Sequence, residues 1–496
     1  MKVEEIRAGY TTLADIGAAT SDWHRAKLGD IAQVVRGVTY KKEQATSQPA
    51  TDMLPILRAT NVQDGSLVLD SDLVFVPKEL VSETQKLRVG DIVVATSSGS
   101  KHLVGKTAQV REAWEGSFGA FCAAIRPTSD IDQRYLGYFF ETREYKDYIS
   151  KKALGVNINN LRRGDLEEIS VPVAPLAQQK RIVAEIEKQL SRLDEAVANL
   201  KRVKANLKRY KAAVLKAAVE GRLVETEAEI ARREGRSYET GEQLLQRILA
   251  TRRSRWKGKG KYKEPAAPDT SDLPELPEGW VWATLDQIGQ EGRPIIYGII
   301  KPGPHDPNGV PYVRVTEMKD GFVDLENLRR AVPERAAKFA RATLAPGDVL
   351  ISKDGTIGRV AVVPPQLAGG NITQHVMRAP IHELMCRDYV VSAIRSDVCQ
   401  KWLTGETKGV ALRGVNVEDF RRLPIPVPPY IEQERVLAEV DRRLSLLSET
   451  EAEVDANLQR ADRLREAILQ RAFSSSSSHR TSIHTKLMGD DERLGT

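Results

Sequence analysis

Two stretches without proline or glycine, Leu176 to Glu220 and Tyr430 to Phe473, carry the most regular hydrophobic pattern of the chain. In the first, Ile186, Leu193, Leu200, Leu207 and Val214 recur every seven residues, flanked by Leu190 and Val197 and then by Val203 and Tyr210. In the second the same frame holds Val440, Leu447, Val454, Ala461 and Ile468, flanked by Leu444 and Leu464. Nothing in either stretch breaks a helix, so each predicts one continuous helix roughly 60–70 Å long at ~1.5 Å per residue. A stripe this narrow, with charges on the remaining faces, suits a partner helix better than a globular core. The pair therefore predicts two arms of one intramolecular coiled coil, and a separate amphipathic surface helix in each half is the competing reading.

Outside these helices the pattern is mixed and doubled. Ile92 to Ala95, Val310 to Val315, Val349 to Ile351 and Val360 to Val363 read as strands, whereas Tyr135 to Lys152 and Tyr389 to Leu403 read as helical. Trp23, Leu28, Ile31, Arg36 and Tyr40 return in the same order as Trp280, Leu285, Ile288, Arg293 and Tyr297. Arg58 and Gly65 return as Arg314 and Gly321, Gly90-Asp91 as Gly347-Asp348, Gly99 as Gly355, and Asp165 as Asp419. Pro172, Pro175, Gln179 and Arg181 return as Pro426, Pro429, Gln433 and Arg435. An ordered series with a nearly constant offset of about 255 positions is the mark of an internal repeat. The expected fold is α+β, with two similar mixed domains at 1–175 and 277–429, each followed by a long helix, 176–222 and 430–473. Between them, 223–276 reads as a helix from Glu239 to Arg255 and then an extended linker, and the serine-rich tail at 474–496 as disordered.

Composition narrows the class. The chain has 496 residues, 41% of them hydrophobic, enough for several ordinary cores. Cys122, Cys386 and Cys399 are too few and too scattered for a disulfide framework or a zinc site, which predicts a reducing, cytoplasmic setting. No apolar run is long enough to span a membrane. With 74 basic and 68 acidic residues the net charge is +6, which permits a polyanionic partner.

Catalytic signals fail one by one. Gly99 to Thr107 resembles a phosphate-binding loop, but Ser100 stands where its first glycine is needed. Val427-Pro428-Pro429-Tyr430 resembles an amino-methyltransferase motif, but Val427 cannot accept a hydrogen bond from a target amine. The seven histidines show no metal-ligand spacing. Catalysis is therefore not expected in this chain, nor is a bound metal or cofactor.

Polar and basic loops at matched points of the two halves remain. The first set is Lys41, Lys42, Ser98, Lys101, His102, Lys106, Lys152, Asn157, Asn159 and Arg162. The second is Lys301, His305, Asn308, Lys353, Asp354, Thr356, Arg359, His375, Lys408 and Arg413. Lysine and arginine neutralise phosphates, while Asn, Arg and Asp carry donor and acceptor groups that read base edges. Any one of them taken singly is an ordinary solvated side chain; their recurrence is what points to DNA. Arg58 and Arg314 fit a structural role equally well.

Trp23 with Leu28 and Ile31, the Gly-Asp turn before an apolar run, the Pro-x-Pro exit at Val171 to Pro175 and Ile425 to Pro429, and Gln-x-Arg opening a long helix together resemble one family. It is that of the specificity subunits of type I restriction-modification systems, and the resemblance covers nearly the whole chain twice. It implies two target recognition domains reading a bipartite asymmetric DNA sequence, with the family's two conserved long helices packed as an antiparallel coiled coil that acts as a spacer between them. It further implies two modification subunits that methylate adenine with S-adenosylmethionine, two ATP-driven restriction subunits that cleave, Mg and ATP on those partners, and no active site in this chain. A stand-alone coiled-coil DNA-binding regulator is the alternative, distinguished by whether the chain co-purifies with a methyltransferase.

Overall fold

The computed structural model describes residues 22–63, 65–98, 103–154, 160–258, 260–319, 321–405 and 415–474. The serine-rich tail expected to be disordered lies, beyond Ser474, outside the described residues. The heptad stretches form single helices, Leu176–Val219 and Tyr430–Phe473, of 44 residues each. The chain divides into two compact units, Met1–Lys201 with Asp455–Thr496, and Arg202–Val454. Each unit takes in part of both long helices, a division that no single-domain boundary in the sequence announces.

Within the first unit, Ile182, Ile186, Leu190 and Leu193 share a core with Ala461, Ile468, Leu469, Ala472 and Phe473. Arg465 pairs there with Asp194 at 3.0 Å. Within the second unit, Val214, Leu215, Ala218 and Val219 share a core with Val436 and Val440, and Lys211 pairs with Glu451 at 2.5 Å. In both units the beginning of one helix lies against the end of the other, which makes the pair an antiparallel intramolecular coiled coil. Leu447 and Val454 are buried, and Leu200 and Leu207 are half-buried. The expected flank of Val203 and Tyr210 needs correction, since these side chains are 41% and 49% exposed. On a straight helix a strict seven-residue frame drifts by ~20° per heptad, and by Val214 the buried stripe has passed to Val214, Leu215, Ala218 and Val219.

The two units repeat the same sheets. The first has a four-stranded antiparallel sheet ordered Ala32–Arg36, Cys122–Pro127, Ile92–Ala95, Thr107–Gln109. The second has Ile296–Tyr297, Val376–Ala379, Val349–Ser352 and Val360–Val362 in the same order. A two-stranded ribbon joins His24–Lys27 to Ser170–Val173 in one unit and Val281–Thr284 to Pro424–Val427 in the other. The methyltransferase-like Val427 thus ends a ribbon strand, and Tyr430 opens the second long helix. The Gly-Asp turns need positive φ, 94° at Gly90 and 87° at Gly347. The aspartates behind them are buried and held by two-pronged arginine contacts, from Arg126 on the strand Cys122–Pro127 to Asp91 and from Arg293, in the bend before Ile296, to Asp348.

A paired clamp fixes each long helix to its unit. Gln179 donates to Ala174 O at 2.7 Å and accepts from Asp132 N at 2.8 Å. Gln433 donates to Pro428 O at 2.9 Å and accepts from Cys386 N at 3.0 Å. Beside them Tyr135 donates to Pro172 O and Tyr389 to Pro426 O. The recurring Pro and Gln positions are thus the hinge between ribbon and helix.

The structure adds local detail to the helical readings. Tyr135 to Lys152 is two helices, Gln133–Phe139 and Arg143–Leu154, and Tyr389 to Leu403 is Arg387–Ile394 and Asp397–Thr404. Each break falls at a hydroxyl residue, Thr142 or Ser396; Thr142 returns its hydroxyl to Phe139 O at 2.6 Å, competing with helical continuation. The linker contains an additional helix, Glu227–Glu234, announced by the Thr226 and Glu229 capping box and stopped by Gly235 at φ 65°. The helix expected at Glu239 to Arg255 spans Gly241–Ser254.

Candidate nucleic-acid interface

In each unit the central strand pair ends on the same backbone hydrogen bond. Thr96 N donates to Phe121 O at 2.8 Å in one, and Lys353 N donates to His375 O at 3.0 Å in the other. Glycines make the adjoining return: Gly105 at φ 85° donates to Ala95 O, and Gly358 at φ 82° donates to Ser352 O. At Gly105 a side chain is excluded by space as well as conformation, because a Cβ would sit 2.4 Å from Ile149 Cγ2. The phosphate-loop-like segment therefore serves as a tight strand return in its described part.

Two more segments converge on that tip. Leu161 N donates to Thr96 O at 2.7 Å, and Val415 N donates to Lys353 O at 3.3 Å. Val38 bridges Gly119 and accepts from Ala120 N, while Ile299 bridges Thr373 and accepts from Gln374 N. These contacts bring the chain leading to Lys41 and Lys42 beside Phe121, and the chain leading to Lys301 beside His375. Three segments thus converge in each unit, and described residues among those predicted from sequence, such as Ser98 and Lys353, lie on them.

Their side chains are engaged to different degrees. Asp354 accepts from His375 Nδ1 at 2.8 Å and from Lys353 Nζ at 3.0 Å. Burial opposes ionisation of Asp354, but these two donors outweigh it and hold its pKa below the ordinary value. Lys152 meets Asp165 at 3.1 Å, and Asp165 also accepts from Arg162 N. Against the same burial penalty, Arg162 N and Lys152 keep the Asp165 carboxyl below its usual range. Arg359 is committed to the carbonyls of Val315 and Met318, at 3.1 and 3.0 Å, and braces the loop. Lys106 and Arg359 precede matched strands, and their carbonyls accept from Ala95 N and Ser352 N.

His305 Nδ1 accepts from Arg330 N at 3.1 Å, Asn308 N donates to Asp306 at 3.0 Å, and Lys301 O accepts from Arg335, forming a second polar group beyond Ile299. Thr356 is exposed, and Ser98 is half-buried at the tip. Lys101, His102, Asn157, Asn159, Lys408 and Arg413 lie outside the described residues. Arg58 pairs with Asp72, and Arg314 pairs with Glu317 at 2.5 Å, so both are held within their loops. Phe121, at the tip itself and 66% exposed, escaped a sequence search restricted to polar residues. Its signal was its match to His375 across the repeat.

Among the described residues no cluster of His, Cys, Asp and Glu could hold a metal. Among them, too, no helix is long and apolar enough to cross a membrane.

The family model described as the type I restriction modification DNA specificity domain matches residues 20–209 and again 277–456. The EcoKI specificity subunit of the type I restriction enzyme from Escherichia coli K12 is 29% identical over 471 residues, covering 92% of this chain and 89% of that protein. The StySPI specificity subunit from Salmonella potsdam is 44% identical over 207 residues, 42% of this chain and 44% of that one. A solved chain from work on complex assembly and conformational transition of the type I R-M system superposes with a TM-score of 0.60 at 18% identity, covering 91% of this chain and 98% of its own. At that identity the superposition speaks to fold alone.

Proposed function

This chain belongs to the type I restriction modification DNA specificity family, and from that premise we propose how its two units divide the recognition of DNA. The chain is the DNA-specificity subunit of a type I restriction-modification system, acting on DNA together with modification and restriction subunits. Each unit reads one half of a bipartite, asymmetric target with its converging tip, Thr96 to Ser98 with Phe121 in one and Lys353 to Thr356 with His375 in the other. The observation that carries this reading is that different side chains stand on one repeated backbone frame at both tips. A constant frame with exchangeable side chains is what two readers of different sequence require.

The basic residues on the adjoining segments, Lys41, Lys42 and Lys301, contact phosphates, and the polar tips contact base edges. The long helices set the number of unread base pairs between half-sites. Two modification subunits carry S-adenosylmethionine and methylate adenine, and two restriction subunits carry ATP and Mg and cleave. This chain supplies recognition and no catalytic step, in the cytoplasm.

Adenine methylation mapped across the genome of cells producing this chain with its modification subunit tests the proposal. The expected result is a single split motif whose gap lengthens when whole heptads are inserted into both helices, with the two half-sites unchanged. Altered bases with an unchanged gap, or methylation independent of this chain, would contradict it.

A further inference from the structure

We propose that Phe121 reads a thymine in the first half-site through the base's 5-methyl group. The inference rests on the DNA-reading role assigned to the tips and adds to it the chemistry of one contact.

Phe121 is the most exposed large hydrophobic residue among those described, at 66%. It belongs to none of the apolar clusters of its unit. Its backbone is nevertheless fixed: its carbonyl accepts from both Thr96 N, at 2.8 Å, and Ser97 N, at 3.1 Å. Cys122, the next residue, is buried in the sheet. Ser97 in turn bridges Asn160. An aromatic ring is thus presented outward from a rigid strand end, beside the backbone bridge of Ser97 to Asn160.

The other unit identifies what such a position is for. His375 occupies the equivalent place, its carbonyl taken by Lys353 N, and its ring is oriented by Asp354 at 2.8 Å. One unit therefore offers a hydrogen-bonding ring and the other a ring that can offer only apolar contact. In the major groove the thymine methyl is the apolar feature that distinguishes one base from the others, and phenylalanine matches it.

The test uses the chain assembled with its modification subunits and duplexes carrying the mapped target. Thymines of the half-site assigned to the first unit are replaced one at a time by uracil, which removes only the methyl. One replacement should weaken equilibrium binding by about fourfold, the equivalent of one buried methyl-sized group. Phe121→Ala should abolish that penalty, and Phe121→Leu, which keeps an apolar side chain, should retain most of it. Uracil in the other half-site should act equally on all three proteins. No sensitive thymine in the first half-site, an unchanged penalty in Phe121→Ala, or a uniform loss of affinity for thymine and uracil duplexes would overturn the inference. An exchange of residues 1–170 that altered neither half-site would instead remove the underlying assignment of tips to half-sites.

Discussion

Thr96 and Phe121 in one unit share the backbone hydrogen bond that Lys353 and His375 make in the other. Elsewhere the units share their chemistry as well as their backbone. Gln179 and Gln433 make matched pairs of bonds, Tyr135 and Tyr389 reach matched proline carbonyls, and Asp91 and Asp348 are both held by arginine. Chemistry is repeated where the helices join and diverges at the strand ends. On the proposed reading, the repeat separates what holds each unit together from what reads DNA.

The largest effect should come from the shared frame. Leu193 and Leu447 are 6% and 7% exposed, so Leu193→Asp or Leu447→Asp should each lower unfolding free energy by a few kcal/mol, the cost of burying an unpaired polar group. Denaturant titration measures it, and an unchanged midpoint for either would break the equivalence of the two helix contacts. Gln179→Ala and Gln433→Ala should each cost about 1–3 kcal/mol by stranding a buried N–H and a buried carbonyl. A large loss in only one would show that the clamps are not equivalent.

The second unit alone carries a buried acid at the helix start. Glu432 is fully buried and accepts from Trp280 Nε1 at 3.0 Å and Glu227 N at 2.9 Å. Burial raises its pKa above 4.5 despite these donors. A folded pKa above the unfolded one stabilises below the unfolded value and ceases to do so as pH rises through the folded value. Glu432→Gln, which keeps an acceptor for the indole, should therefore gain melting temperature relative to the parent between about pH 4 and pH 8. A difference that shrinks over that range would refute the account. The corresponding Trp23 Nε1 has no hydrogen-bond partner among the described residues, so no such pH dependence is expected from the first unit.

The smallest effect is the most local. His375→Ala should leave melting within about 0.5 kcal/mol of the parent, as surface substitutions do. It should relax base preference at one position of the second half-site by ~1 kcal/mol, measured by competition binding. Relaxation in the first half-site would break the pairing of tips with half-sites.

The helices were legible in the sequence because an uninterrupted seven-residue stripe has few other structural outlets, and the repeat because Gly-Asp, Pro-x-Pro and Gln positions each answer a backbone demand. The helix breaks at Thr142 and Ser396 were not, since apolar periodicity continues through both; at Thr142 a local hydroxyl competes for the Phe139 carbonyl. The exposure of Val203 and Tyr210 depends on which face meets the partner helix, which periodicity alone does not fix. At the tips, Lys353, Asp354 and His375 were found as polar loop residues, but their mutual bonding required the fold. Arg359 carries the charge of a phosphate-binding arginine, and its bonds to two backbone carbonyls required the fold. Phe121 carries no polar group, so only its place at the strand end, matched to His375 across the repeat, sets it apart.

Methylation mapping after residues 1–170 are replaced by those of a relative tests the division between frame and tips most directly. The account predicts that one half-site changes while the other half-site and the gap stay as they were. A change in both half-sites, or in neither, would contradict it.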